Sequence, residues 1–233
     1  MPARYFVETP ITGDRAVLAA AEAHHLAHVM RARAGDEVTL FDGSGFDFSA
    51  RIERIGRSEV ELSITSRTAV DHELPIELTL AVALPKGDRQ AWLVEKATEL
   101  GVTRLVPLVT ERGVAQPVEK ALVRLRRTVI EASKQCGRAR LMQVAEPRSI
   151  AEIVVAAEAT AERIIAHVDG AALPPGARAP GASVIAAVGP EGGWTDAELA
   201  IAAEHGWFVT SLGPRTLRVE TAAIALAVLI AAS

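Results

Sequence analysis

Residues Val188–Ala232 read VGPEGGWTDAELAIAAEHGWFVTSLGPRTLRVETAAIALAVLIAA and carry one local pattern twice. The apolar run Val184–Val188 predicts a strand that enters the turn Gly189-Pro190-Glu191-Gly192-Gly193, after which Thr195 opens a helix. Thr195 and Glu198 have the spacing of a capping box, in which each side chain satisfies a free backbone N–H of the other, and Gly206 is placed to close the helix. A second strand is expected over Trp207–Leu212, then a turn at Gly213–Arg218 and an apolar helix from Thr221. Strand, glycine loop and helix in tandem describe a parallel α/β sheet, where ligands settle in the loops leaving the carboxyl ends of the strands. Glycines let such loops bring their backbone close to a ligand. Neither loop is a Walker motif, since no Gly-Lys-Ser/Thr follows, and neither fits G-x-G-x-x-G. Either alone would pass as an ordinary turn; the pair, side by side, makes a candidate site.

The α/β pattern extends upstream. Ile76–Leu84 is nearly continuous in apolar residues, as in a strand covered on both faces. Asp88 is placed to cap the next helix, where Leu93, Ala97 and Leu100 share a face and Gly101 closes the element; Val102–Val109 is the following strand. A long helix from about Val118 to Cys136 sets Leu122, Leu125, Val129, Ala132 and Cys136 in one stripe. Ser149 and Glu152 make a second capping box, and a strand over Arg163–Val168 leads to a loop at Asp169-Gly170 that continues through Pro174-Pro175-Gly176 and Pro180-Gly181, a segment expected to be mobile.

The first 72 residues are patterned differently. Phe46, Phe48, Ala50 and Ile52 alternate with polar residues, as do Val60, Leu62 and Ile64, with turns at Gly35-Asp36, Gly43–Gly45 and Gly56. This period of two predicts a small antiparallel barrel or sheet, with a helix over Glu22–Ala32. Asp71–Pro75 (DHELP) is the expected linker, dividing the chain into residues 1–72 and 73–233.

With 25 Lys and Arg against 29 Asp and Glu in 233 residues, the net charge is −4, so any nucleic-acid partner must meet a local patch. Between Arg112 and Arg140 eight Lys and Arg face only Glu119 and Glu131, a local charge of +6 that suits a phosphate backbone. The single Cys136 excludes an internal disulfide and a cysteine-built zinc site and fits a reducing cytosol. His24 and His28 lie one helical turn apart beside His25, yet there is no HExxH pattern and no third ligand, so no metal is expected. The first ten residues, MPARYFVETP, contain no apolar signal core, and Ala222–Ala232 falls short of the roughly 20 residues that span a bilayer, so it reads as a buried helix.

The wording VGPEGGWTDAEL followed by LGPRTLRVETAA resembles the SPOUT-class RNA methyltransferases, and specifically the RsmE family, which methylates N3 of a uridine in 16S ribosomal RNA. The resemblance continues in KGDRQAWLVEKATELGVTRLVPLVTERG at Lys86–Gly113 and HHLAHVMRARAGDEVTLFDGSG at His24–Gly45, covering nearly the whole chain. It implies a PUA-like RNA-binding β-barrel followed by an α/β domain with a C-terminal trefoil knot, a cytoplasmic homodimer, and S-adenosylmethionine (SAM) clasped by three loops. Carried onto this chain, the loops are Asp169 and Gly170; Gly189, Pro190, Glu191, Gly192 and Gly193; and Leu212, Gly213, Leu217, Arg218, Glu220, Thr221 and Ala222. The implied partner is 16S rRNA in the 30S subunit, with Arg4, Arg31, Arg33, Lys86, Arg89, Arg127, Lys134 and Arg138 as candidate contacts. Uridine N3 must lose a proton before it is nucleophilic, which calls for a base or a cation that stabilises the anion. Arg218 is the candidate cation, and Glu191 or Glu220 the candidate carboxylate, although Glu220 also suits a helix start. Ser133-Lys134 departs from the family, which more often has a small residue followed by an acid. Ribose 2′-O methylation and a non-catalytic RNA-binding assembly role stay open as alternatives.

Overall fold

The structure, a computed structural model, describes residues 3–113, 118–157, 160–174 and 178–232. The expected loop at Pro175-Gly176 lies outside the described residues. The chain divides into two compact units, one of Met1–Glu73 with Ser133–Leu141 and one of Leu74–Ala132 with Met142–Ser233.

In the first unit, β1 (Arg4–Phe6), β2 (Arg15–Ala19), β3 (Glu37–Phe41), β4 (Phe46–Ile55) and β5 (Glu59–Ala69) form a sheet of order β1-β3-β4-β5-β2. All pairs are antiparallel except β1 with β3. The alternation read from the sequence sends Phe48, Ala50, Ile52, Val60 and Leu62 into one core with Tyr5, Leu18, Leu26 and Leu40. Phe46 is only half-buried, and its ring carries the Arg67 guanidinium 3.6 Å from its centroid. The helix expected over Glu22–Ala32 is α1 (Ala20–His24) running into a π-helical turn at His25–Val29. Met30 N–H donates five residues back to His25 O at 3.0 Å, and Arg31 then leaves with φ 54°.

Ser133–Leu141 joins this unit through buried cations. The Arg4 guanidinium donates to Ser133 O at 2.8 Å and Asp47 at 2.5 Å and lies over the Phe41 ring. Arg138, 3% exposed, meets Glu73 through Nε at 3.1 Å and Nη2 at 2.5 Å. Both are candidate RNA contacts, and in the structure both guanidiniums are engaged within the fold by these partners. Lys134, at the position that departs from the family, pairs with Glu22 at 2.8 Å.

In the second unit the strands are β6 (Glu77–Val82), β7 (Arg104–Val109), β8 (Gln143–Val144), β9 (Arg148–Ser149), β10 (Glu162–Ala172), β11 (Ser183–Val188) and β12 (Phe208–Ser211). Every pair is parallel, in the order β12-β10-β11-β6-β7-β8, with β9 also beside β7. Leu78, Leu80, Ala81, Val82, Val184, Ala186 and Ala187 are all buried, so the continuous apolar runs mark a sheet covered on both faces. The helices are α2 (Arg89–Glu99), α3 (Glu119–Cys136, its end in the first unit), α4 (Ile150–Ala156), α5 (Asp196–Glu204) and α6 (Val219–Ala231). Both capping boxes form, at Ser149 with Glu152 and at Thr195 with Glu198. Asp88 stands at the start of α2 but caps nothing, because its own backbone is already helical (φ −67°, ψ −17°). Helix α6 begins at Val219 and buries Ala223, Leu226, Ala227 and Ile230, while Val228 and Leu229 on its other face are exposed. Among the described residues no helix is long and apolar enough to cross a membrane.

One strand departs from expectation in a way that builds the site. The sequence places a loop at Asp169-Gly170, but β10 runs on to Ala172 and Ala166 and Ala171 both stand opposite Thr210 of β12. The backbone between them bulges, and a Cβ on Gly170 would lie 2.4 Å from Thr210 C and 2.7 Å from Ser211 N. Gly170 is thus required by backbone contact, not by a turn. Gly170→Ala is expected to lower stability by about 2–3 kcal/mol, since rigid backbone must move. A urea midpoint unchanged from that of the parent chain would refute the contact.

Candidate active site

The ends of β10, β11 and β12 lie side by side, and the residues that follow enclose a pocket of about 170 Å³. Residues 166–168 form one wall; Val188–Glu191 with Gly193 and Trp194 form a second; Leu212, Gly213, Arg215–Leu217, Val219 and Ala222 form the third. The lining is mostly aliphatic and glycine backbone, with His167, Glu191, Arg215 and Thr216 as its polar side chains. Such a surface suits a flat apolar ring system with a few polar edges.

The second wall is held from both sides. Trp194, 4% exposed, donates from Nε1 to Ala166 O at 3.0 Å, tying the loop after β11 to the end of β10. Its ring passes so close to Gly189 that a Cβ there would sit 2.8 Å from an indole carbon. On the other side Arg112 Nη1 donates to Gly192 O at 3.2 Å and Trp194 O at 3.1 Å. The turn Gly193 N–H to Pro190 O, at 2.9 Å, closes the loop on itself before the Thr195 cap.

Of the candidate cofactor residues, Gly189, Pro190, Glu191, Gly193, Leu212, Gly213, Leu217 and Ala222 line the pocket. Gly192 packs instead on Arg112, where a Cβ would meet Arg112 Cβ at 3.1 Å. Asp169 is turned outward: its side chain is 88% exposed, its N–H donates to His167 Nδ1 at 3.3 Å, and its carboxylate stands 3.8 Å from the same nitrogen. Thr221 is exposed on α6. Arg218 is the exposed residue before α6, between pocket residues Leu217 and Val219, and its side chain caps nothing. Glu220 is buried, with Oε1 accepting from Arg89 Nη1 at 3.4 Å and Oε2 without a protein partner. The named candidates leave out Ala166, His167, Val168, Val188 and Trp194, while Arg215, Thr216 and Val219 fall within the expected third loop, Leu212–Ala222. For Trp194 a signal existed, a large ring directly after two glycines.

The candidate RNA contacts scatter. Arg31 and Arg33 are exposed in the first unit, and Lys86 and Arg127 in the second. Arg89 is half-buried on Glu220, and Lys134 is held by Glu22. Arg126 is shared between Glu119 and Glu146, which shrinks the basic surface of α3 to Lys120, Arg124 and Arg127. The rings of His24 and His28 lie 4.7 Å apart, tilted by 48°, and among the described residues no His, Cys, Asp or Glu group of three or more could hold a metal ion.

Residues 72–231 match the RNA methyltransferase domain family and residues 18–65 the RNA methyltransferase PUA domain. A ribosomal RNA small subunit methyltransferase E of Synechocystis sp. is 37% identical over 88% of this chain and 69% of its own length. Its counterpart in Mycobacterium tuberculosis is 34% identical over 94% of this chain and 87% of its own. The crystal structure of the Neisseria gonorrhoeae enzyme of the same name, bound to S-adenosyl methionine, superposes with a TM-score of 0.88 at 32% identity, covering 97% of this chain and 95% of that one. The chain belongs to the ribosomal RNA small subunit methyltransferase E family.

Gly189→Ala is expected to push the Trp194 ring from its bed and cost about 1–3 kcal/mol, the usual effect of overpacking. The Trp194 contribution to tryptophan emission should shift to longer wavelength. An unchanged spectrum with unchanged stability would mean that the loop accepts the methyl group without moving Trp194.

Proposed function

We propose that this chain methylates N3 of one uridine in the decoding region of 16S rRNA, with SAM as methyl donor and the 30S subunit as substrate. The observation that carries the reading is the pocket at the ends of β10, β11 and β12, in a fold that a SAM-bound relative shares over almost its whole length. The residues present fit the cofactor. Val188, Leu212, Leu217 and Ala222 offer apolar walls for the adenine ring, and Gly189, Gly193 and Gly213 leave backbone open to its polar edges. SAM supplies an electrophilic methyl group on a sulfonium; the protein's work is orientation and proton management.

Within that reading, Arg218, the exposed residue between pocket residues Leu217 and Val219, is the cation that stabilises negative charge spreading onto O2 and O4 as uridine N3 is deprotonated. Glu191, exposed at the pocket wall, is the carboxylate free to accept that proton. Glu220 is engaged by Arg89 at the start of α6, so its part is to hold the third wall through the helix terminus. The exposed cations Arg31, Arg33, Lys86 and Arg127 supply RNA contacts. A cytoplasmic homodimer and a knotted third wall complete the proposal, and exposed Trp92, Val228 and Leu229 are apolar surface for a second copy.

The test is incubation with labelled SAM and 30S subunits from cells lacking the gene, followed by nuclease digestion and mass spectrometry. The expected product is 3-methyluridine at a single site. A ribose methyl would keep the class and remove the N3 assignment, and tight SAM binding without transfer would make the chain a binding protein. Arg218→Ala is expected to lower turnover by about 100-fold or more, as loss of a charge-stabilising donor does, with SAM affinity nearly intact. Full activity in that variant would remove Arg218 from the chemistry.

A further inference from the structure

We infer that Arg112 is a positioning residue for the cofactor pocket, setting the shape of the loop after β11 before any ligand arrives. This rests on the reading of the pocket as a SAM site. Arg112 belongs to the basic span that the sequence offers to RNA, but its guanidinium is turned onto the loop, where one nitrogen bridges the carbonyls of Gly192 and Trp194. Those two residues flank Gly193, and Gly193 and Trp194 both line the pocket.

Three features make the bridge specific. The loop contains Gly189, Gly192 and Gly193, so its own backbone restrains it little. Arg112 is presented by a tight turn in which Gly113 N–H donates to Thr110 O at 3.1 Å, so the cation is held short of the loop by fixed backbone. The neighbouring Glu111 N–H donates to Glu198 Oε1 at 3.3 Å, and Glu198 is the capping partner of Thr195 directly beyond the loop. Gly192 completes the fit, because a Cβ there would press on Arg112 Cβ at 3.1 Å. The Trp194 indole holds the loop from within and Arg112 from without. A loop ordered in advance binds its ligand without the entropic cost of ordering it later.

The experiment compares Arg112→Met, which keeps the stem against Gly192 but has no donor, with Arg112→Lys, which restores donors. SAM affinity is measured by calorimetry on the full chain, KM is measured separately for SAM and for 30S subunits, and thermal unfolding is followed in parallel. Arg112→Met should bind SAM about tenfold more weakly, the loss expected of one charge-assisted bridge, with KM for the subunit and kcat little changed. Arg112→Lys should recover most of that affinity. A melting temperature within a few degrees of the parent's would separate positioning from unfolding. If Arg112→Met binds SAM as tightly as the parent while its KM for the subunit rises, Arg112 is an RNA contact and the inference falls. If the parent chain itself binds no SAM, the reading of the pocket fails first, and the two failures cannot be confused.

Discussion

The close passage of β10 against β12 is the constraint on which the site depends. Thr210 is opposite two residues of β10, Ala166 and Ala171, so the chain between them has to leave the ladder and return. That excursion carries His167 and Val168 into the pocket and leaves Asp169 in solvent. It is possible only because Gly170 lets backbone meet backbone at a distance no side chain would tolerate. The Trp194 bond to Ala166 O then fastens the neighbouring loop to the base of the same bulge. Two walls of the pocket therefore share one anchoring strand.

Around that anchor the electrostatics are divided by burial. Arg4 and Arg138 are enclosed with carboxylates, where removal of either partner would leave a charge stranded in a poorly solvated place. Arg112 and Arg89 hold the second and third walls through Gly192, Trp194 and Glu220. Arg31, Arg33, Lys86 and Arg127 remain exposed. Part of the cationic composition thus serves the fold and the pocket, and the surface that can meet a phosphate backbone is smaller than the count of arginines suggests.

What was legible in the sequence was whatever depends on near neighbours. Both capping boxes, the continuous apolar strands β6 and β11, and the alternation of β4 and β5 follow from spacings within a few residues. The pocket was legible to the extent that its second and third walls begin at glycine turns after strands. Asp169-Gly170 misled because the pair is ordinary turn chemistry, whereas here the glycine answers to Thr210, forty residues on. The fates of Arg4 and Arg138 were hidden for the same reason, since their partners Asp47 and Glu73 are set by the tertiary fold. Asp88 failed as a cap because its own backbone was helical, a conformation that spacing cannot report.

The strand order also bears on how the nascent chain acquires its site. Among the described residues β10 pairs only with β11 and β12, both of which are synthesised after it, while β6 and β7 already pair with each other. As translation proceeds, Ile164 and Ile165, buried in the finished sheet, have no ladder to join until β11 has docked on β6. An unpaired apolar strand is a template for mispairing, so this interval is when the chain is most exposed to aggregation and to chaperones. The third wall follows β12, so the binding pocket is complete only when the outermost strand closes over the bulge.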